Sequence, residues 1–386
     1  MRRLTTIALL VAGCSAQGEN ISTRSDSAGV ELVTYAGPDR PLDWSFDRLF
    51  TIGGQETGEE SFYALAPGYV GADIAGNLYV LDRSAHRVVV FDSTGAALVT
   101  MGRAGGGPGE IQRPFGLSVA DDGIVGVFDL GKGALVRFDA GGQVLSQEPV
   151  PPGYQGGGFQ MIPSGLMLIV FDLTVTDDAL VEHLIRVSGA DTITLVTLRH
   201  LPTQPIELAS CGMGFTGMPP IFAPYFRWAG RRDATAAAAV AAGYEVWLID
   251  PHRIRILRRP LSPASATREA ALALLGEGMR VGTPGGTRVC DPGEVVEKQG
   301  IAETIPIITR IAEGPGPTWW VARSEGAASP AGIDVFDSDG DYLGTLPAST
   351  PVPVAVIGPD RFAAIESDEL DVDRLVVYRV RRGPAS

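Results

Sequence analysis

Tyr225, Arg227 and Trp228 are the most suggestive chemistry-bearing group in this chain of 386 residues. An arginine set between aromatics offers charge-assisted hydrogen bonds from a planar guanidinium together with stacking surface, which suits an anionic or aromatic group on a partner, the equal alternative being that the aromatics pack under the insertion that precedes them. Other groups that could do chemistry read as turns or solvated faces. Asp337-Ser338-Asp339-Gly340-Asp341 begins like a calcium loop, but Asp92-Ser93-Thr94-Gly95 makes the same turn without the extra carboxylates, so turn chemistry accounts for both. Glu366, Asp368, Glu369, Asp371 and Asp373 crowd one loop in which no Gly or Asn shapes a fixed cation cage. Asp82 and Asp129 end equivalent strands and read as turn caps rather than a carboxylate pair. Gly131-Lys132-Gly133 lacks the Ser or Thr that a phosphate-binding loop places after its lysine.

The four histidines, His86, His183, His200 and His252, show no metal-ligand spacing and are expected in different repeats. No Gly-x-Ser-x-Gly elbow is present. No metal, cofactor or catalytic residue is therefore expected. Trp319 and Trp320 read as core, because two large apolar side chains within one strand fill space between packed sheets.

The elements that must position these residues are strands. Gly76-Asn77-Leu78-Tyr79-Val80-Leu81-Asp82 and His86-Arg87-Val88-Val89-Val90-Phe91-Asp92 return 47 residues later as Gly123 to Asp129 and Leu135 to Asp139. Val335-Phe336-Asp337-Ser338-Asp339-Gly340 and Val246-Trp247-Leu248-Ile249-Asp250-Pro251 echo the end of the unit. Asp opening and Gly closing a four-residue turn is the chemistry of a type I turn between antiparallel strands. A period of this length with four short strands predicts propeller blades, each unable to bury both of its faces alone. Between Phe46 and Arg381, setting aside the interruptions 200–223 and 261–304 leaves about 5.7 repeats. The expected fold is all-β, a six-bladed propeller over 30–386. Leu49-Phe50-Thr51-Ile52-Gly53 matches the outer strand of blade one and is expected to close the last blade, which removes an open edge.

The ends and the charge bound the setting. Met1-Arg2-Arg3 followed by an apolar stretch to Ala12 reads as a signal peptide, residues 1–13, too short to span a bilayer. Val11-Ala12-Gly13-Cys14 resembles the bacterial lipobox, which implies that Cys14 carries lipid and begins the mature chain. Ser15 after it resembles outer-membrane sorting. Residues 14–29, rich in Ser, Gly and Asn, read as a tether. Cys211 and Cys290 remain, an even pair in an oxidising compartment that permits a disulfide by elimination. The formal charge of −14 becomes −16 once Arg2 and Arg3 are removed. With only Lys132 and Lys298 as lysines, no positive stripe is available for nucleic acid, and Arg231-Arg232 reads as a solvated face.

The Gly-Asn-Leu-Tyr-Val-x-Asp and His-Arg-Val-x-Val-Phe-Asp strands, the crossing segment from Gly102 to Glu110, and Pro114 to Val119 resemble NHL-repeat propellers and the secreted six-bladed bacterial propellers related to them. The match is strong over 46–150 and loose over 158–381. In a four-stranded blade, the loops between blades share a face with those between second and third strands, so both interruptions should emerge together. Long insertions on a repeat scaffold are where binding resides. The expected function is therefore a membrane-anchored, extracytoplasmic binding or scaffold lipoprotein, monomeric, taking a protein or small-molecule partner on that face. The alternative is a propeller hydrolase or lyase acting at the central channel.

Overall fold

The computed structural model describes residues 21–27, 29–53, 62, 65–154, 158–172, 179–202, 205–216, 218–283, 286–327, 329–367 and 372–383. Cys14, the signal segment and the acidic residues Asp368, Glu369 and Asp371 lie outside them. Runs such as Leu78–Asp82 and Val125–Asp129 are buried at every position, because a central strand of a blade has a neighbouring blade on each face. Outer strands such as Val144–Pro149 are mostly exposed.

Six four-stranded antiparallel units result. From the inside outwards, blade one is Val70–Ala72, Leu78–Asp82, Arg87–Phe91 and Ala97–Met101, and blade two Pro114–Val119, Val125–Asp129, Ala134–Phe138 and Val144–Pro149. Blade three is Phe159–Ile162, Gly165–Phe171, Ala179–Ser188 and Asp191–Pro202. Blade four is Arg227–Gly230, Ala236–Ala239, Glu245–Ile249 and Ile254–Arg258, and blade five Ile308–Gly314, Thr318–Ser324, Pro330–Asp337 and Tyr342–Leu346. Blade six takes Ala355–Ile357, Arg361–Ser367 and Asp373–Arg382 from the end of the chain and its outer strand, Trp44–Gly53, from the beginning, with Ile52 opposite Leu375. An apolar cluster fills each gap between adjacent blades. Leu81, Val88 and Val90 meet Leu117, Val125 and Val127 between blades one and two, and Ile52, Leu375 and Val377 meet Leu78, Val80 and Val89 where the ring closes. Trp319 and Trp320 are buried on opposite sides of blade five, one in each of its gaps.

The repeated turn has the expected chemistry. Asp92 Oδ1 accepts from the Thr94 and Ala96 amides at 2.8 and 3.0 Å, and the Gly95 amide donates to the Asp92 carbonyl at 3.0 Å. Asp139 and Asp337 do the same for their turns. Gly95 has φ +92°, and a Cβ there would lie 2.8 Å from the Phe50 ring. Gly95→Ala is expected to lower stability by about 1–2 kcal/mol, read as a lower urea midpoint at unchanged slope.

One expectation is corrected. The tether proposed for 14–29 cannot extend through 21–27, because Ile21–Ser27 is a strand paired with Val30–Ala36, which runs parallel to Ile254–Arg258 on the outer edge of blade four. Ser22 to Ser27 are all exposed, so this strand is held by backbone hydrogen bonds and has no apolar pattern to reveal it. The chain then crosses blade five, where Leu42 and Arg40 exchange backbone hydrogen bonds with Thr345, before forming the outer strand of blade six. The first described residues thus gird blades four, five and six.

The two inter-blade insertions are present as expected, and they are folded structure. The hairpin Ile206–Leu208 and Met213–Phe215 meets helix Arg268–Leu275, hairpin Met279–Thr283 and Gly286–Cys290, and helix Pro292–Gln299. Thr267 and Asp291 cap the two helices through their side chains. Cys211 and Cys290 are disulfide-bonded, joining the interruptions into one module. Glu294 adds to the join by accepting from the Ala209 and Ser210 amides at 2.7 and 3.0 Å.

Candidate functional site

Innermost strands of a propeller are edge strands that face a shared channel. Here they enclose about 400 Å³, lined by segments of all six blades. Each innermost strand begins on the insertion-bearing face. Tyr69, Phe115, Trp228, Arg310 and Pro353 therefore lie toward that face, and Ala72, Val119, Arg232 and Glu313 toward the hairpin-turn face.

The hairpin-turn end is barred by Arg232. From the turn after the innermost strand of blade four, its guanidinium reaches the opposite side of the ring, donating to the Ala72 carbonyl of blade one at 2.6 Å and pairing with Asp121 of blade two at 2.8 Å. Beside it, Arg231 stacks 3.9 Å above the Trp319 ring and pairs with Glu313 at 3.3 Å. Burial lowers the Arg231 pKa, and burial raises that of Glu313 against the opposing pull of Arg231 and Arg232. The pair read from sequence as a solvated face is thus structural. Arg231 is 6% exposed, and a partner 160 positions away in sequence gives no local signal.

The insertion-bearing end is different. Arg310, third residue of the innermost strand of blade five, donates to the Pro353 carbonyl at 2.7 Å, and no ion pair to it occurs among the described residues. Burial lowers its pKa to about 10, which leaves it fully charged at neutral pH. At the rim Arg83 stacks between Tyr69 and Phe115, 5.2 and 4.9 Å from their ring centres, and donates to the Pro114 carbonyl. Neither Arg83 nor Arg310 was singled out by the sequence, since scattered arginines carry no motif. The channel is a cup with aromatic walls, paired charges at its floor and, near its open end, a cation that has no ion pair among the described residues.

Tyr225, Arg227 and Trp228 stand where blade four begins, but they do not converge. Trp228 lines the cup, whereas Tyr225 and Arg227 lie outside it, within electrostatic range of Glu182. Burial raises the Tyr225 pKa with help from Glu182, and burial lowers that of Arg227. The Tyr225 ring is 5.5 Å from His200, whose Nε2 is 2.6 Å from Glu182 Oε2 in a buried pair. His183 pairs with Asp172 at 3.6 Å on the adjoining strand. The expectation that all four histidines fall in different blades fails for these two, because the third and fourth strands of blade three are long and carry one each.

The remaining candidates resolve as backbone chemistry. Asp129 accepts from the Gln112, Arg113 and Gly131 amides at 2.7, 2.9 and 2.9 Å, Asp82 accepts from Ala85, and Lys132 donates to the Gly107 carbonyl. Among the described residues no group of three His, Cys, Asp or Glu is arranged to hold a metal ion. No described helix is long and apolar enough to cross a membrane.

Over residues 72–152 the chain matches a family model described as a 6-bladed beta-propeller, DUF5128. No curated relative matches it. Among solved structures it is similar to an exported protein of Bacteroides fragilis, at 11% identity over 91% of this chain and 99% of that one, TM-score 0.48. A DUF4221 member from Bacteroides vulgatus gives 9% identity, 88% and 99% coverage and TM-score 0.49. Virginiamycin B lyase of Staphylococcus aureus gives 12%, 86% and 99%, and 0.36. The six sheets, the borrowed closing strand and the family model over blades one and two identify the architecture: the chain is a six-bladed β-propeller.

Proposed function

We propose that this protein is an extracytoplasmic, lipid-anchored binding propeller, akin to secreted NHL-type propellers, that takes its ligand or partner on the insertion-bearing face. The observation that carries the reading is Arg232, which bars the channel at the hairpin-turn end and leaves the insertion-bearing end as the way in. The disulfide-pinned module rises on that same face, and a rigid scaffold that presents a folded insertion beside a cup is suited to recognition. Trp228 forms part of the cup wall, with Tyr225 and Arg227 beside the entrance.

Ser22 pairs with Tyr35, whose hydroxyl donates to the Gly340 carbonyl in a hairpin turn of blade five, and Arg24 pairs with Asp341 of that turn at 2.5 Å. The segment from Cys14 to Ile21 spans at most about 25 Å. Ile21 lies opposite Ala36, at the end of the outer strand of blade four that leads into the second insertion, so a lipid on Cys14 would hold the outer edge of blades four and five at the outer-membrane surface.

Partner capture on membranes tests both parts. The wild type is expected in the membrane fraction and Cys14→Ala in the soluble fraction. Trp228→Ala and Arg227→Ala should weaken partner capture about tenfold or more, with Asp339→Ala on the hairpin turn nearly neutral. A soluble wild type rejects the anchor, and the reverse ranking of variants rejects the face.

A further inference from the structure

Charge within the cup is unbalanced in one place. Of the charged side chains that line it among the described residues, Arg232 is paired with Asp121 and Glu313 with Arg231, while Arg310 meets only a neutral carbonyl. A guanidinium carries five N–H donors, and one of those of Arg310 is spent on Pro353. The others are directed to no described protein acceptor. In a chain of net charge −14, a carboxylate could have been placed beside it, as was done for both arginines on the floor. An unneutralised, desolvated cation is costly to hold, and an incoming anion removes that cost.

The walls define the rest of the ligand. Tyr69, Phe115, Trp228, Pro353 and Val354 offer apolar and aromatic surface around the cup that Arg310 also lines. A volume of about 400 Å³ is in the small-molecule range and too small for a folded partner. One guanidinium neutralises one negative charge, and its planar fork matches the two oxygens of a carboxylate.

We propose that the cup is a binding site for a small monocarboxylate with an apolar or aromatic body, its carboxylate held by Arg310 and its body lying against Trp228, Tyr69 and Phe115. This rests on the reading that ligands enter from the insertion-bearing face, and it assigns the chemistry they carry there. Arg310 is the selective element, and Arg232 is the stop that fixes how deep the ligand sits.

The probe is benzoate, titrated calorimetrically into the full extracytoplasmic chain at neutral pH. Saturable one-site binding is expected, with benzamide, the neutral isostere, at least tenfold weaker. Arg310→Gln should lose at least tenfold of the benzoate affinity and Arg310→Lys several-fold, since it keeps the charge and loses the fork. Arg379→Gln, at an exposed position on the third strand of blade six, should bind like the wild type. Should Arg310→Gln fail to fold, the benzoate and benzamide comparison on the wild type still decides. Equal affinity for the two probes, equal affinity of Arg310→Gln, or no saturation at roughly 20 mM benzoate overturns the proposal. The face is scored separately by partner capture. Loss of the carboxylate result with capture intact rejects the cup chemistry alone, whereas unchanged capture by Arg227→Ala, at a residue outside the cup, rejects the face alone.

Discussion

Asp334→Ala should destabilise the protein by about 3–5 kcal/mol, the largest effect expected of any single side chain here. Asp334 is fully buried in the third strand of blade five. It accepts from Arg259 Nη1 at 2.8 Å and from Thr345 Oγ1 at 2.6 Å, and Arg323 Nε lies 3.1 Å from it. Both arginines also reach Asp39, at 2.7 and 2.5 Å. This network ties the exit of blade four, two strands of blade five and the N-terminal belt together. Removing the central carboxylate strands two guanidiniums that are almost wholly inside the protein, and the half-exposed Asp39 cannot neutralise both. Asp334→Asn keeps acceptor oxygen and shape and should lose less. Urea unfolding followed by tryptophan fluorescence measures the difference, and a loss under about 1 kcal/mol for the Ala variant would show that the network relaxes freely. The same cluster gives a pH sign. Burial works to raise the Asp39 pKa, but hydrogen bonds and charge from Arg323 and Arg259 outweigh it and hold the carboxyl below its ordinary value. A depressed folded-state pKa contributes stability that is present above about pH 4 and lost as pH falls through the folded value.

Cys211→Ala/Cys290→Ala should loosen the insertion module while the six blades stay folded. The disulfide closes a loop with a sequence separation of 79, which contains all of blade four and part of each insertion. Loop-closure entropy of that size is worth roughly 4 kcal/mol. The module has little else to replace it: its apolar cluster is small, Cys290 sits inside it, and its helices are eight residues each. Such helices are marginal without tertiary support. Arg280 and Arg288 lie in the hairpin between the helices, and trypsin cleavage there should accelerate by up to about a thousandfold if cleavage proceeds through module opening. Unchanged cleavage together with an unchanged unfolding midpoint would mean that Glu294 and the apolar cluster hold the module unaided.

The blades were legible because their information is local. Leu78 to Asp82 and Val125 to Asp129 are apolar runs between turns, and the Asp of each turn bonds amides two and four positions on, so type and place are written within a few residues. The closing strand was also legible, since Leu49 to Gly53 repeats a pattern already seen in blade one. The pairing of Cys211 with Cys290 followed because only two cysteines remained.

What the sequence by itself determined, then, is the repeat, its turns, the ring closure and the disulfide: properties set by backbone conformation and apolar period. Only the tertiary structure decided that Ser22 to Ser27 form an edge strand, that Arg232 crosses the channel to Ala72, and that Arg310 meets no carboxylate among the described residues. The physical reason is the same in each case. An exposed strand has no apolar period, and a charged side chain looks alike in sequence whether water or a distant blade surrounds it. Its role is fixed by groups that the ring brings together from 43 to 160 positions away, and long-range electrostatics leaves no local spacing to read.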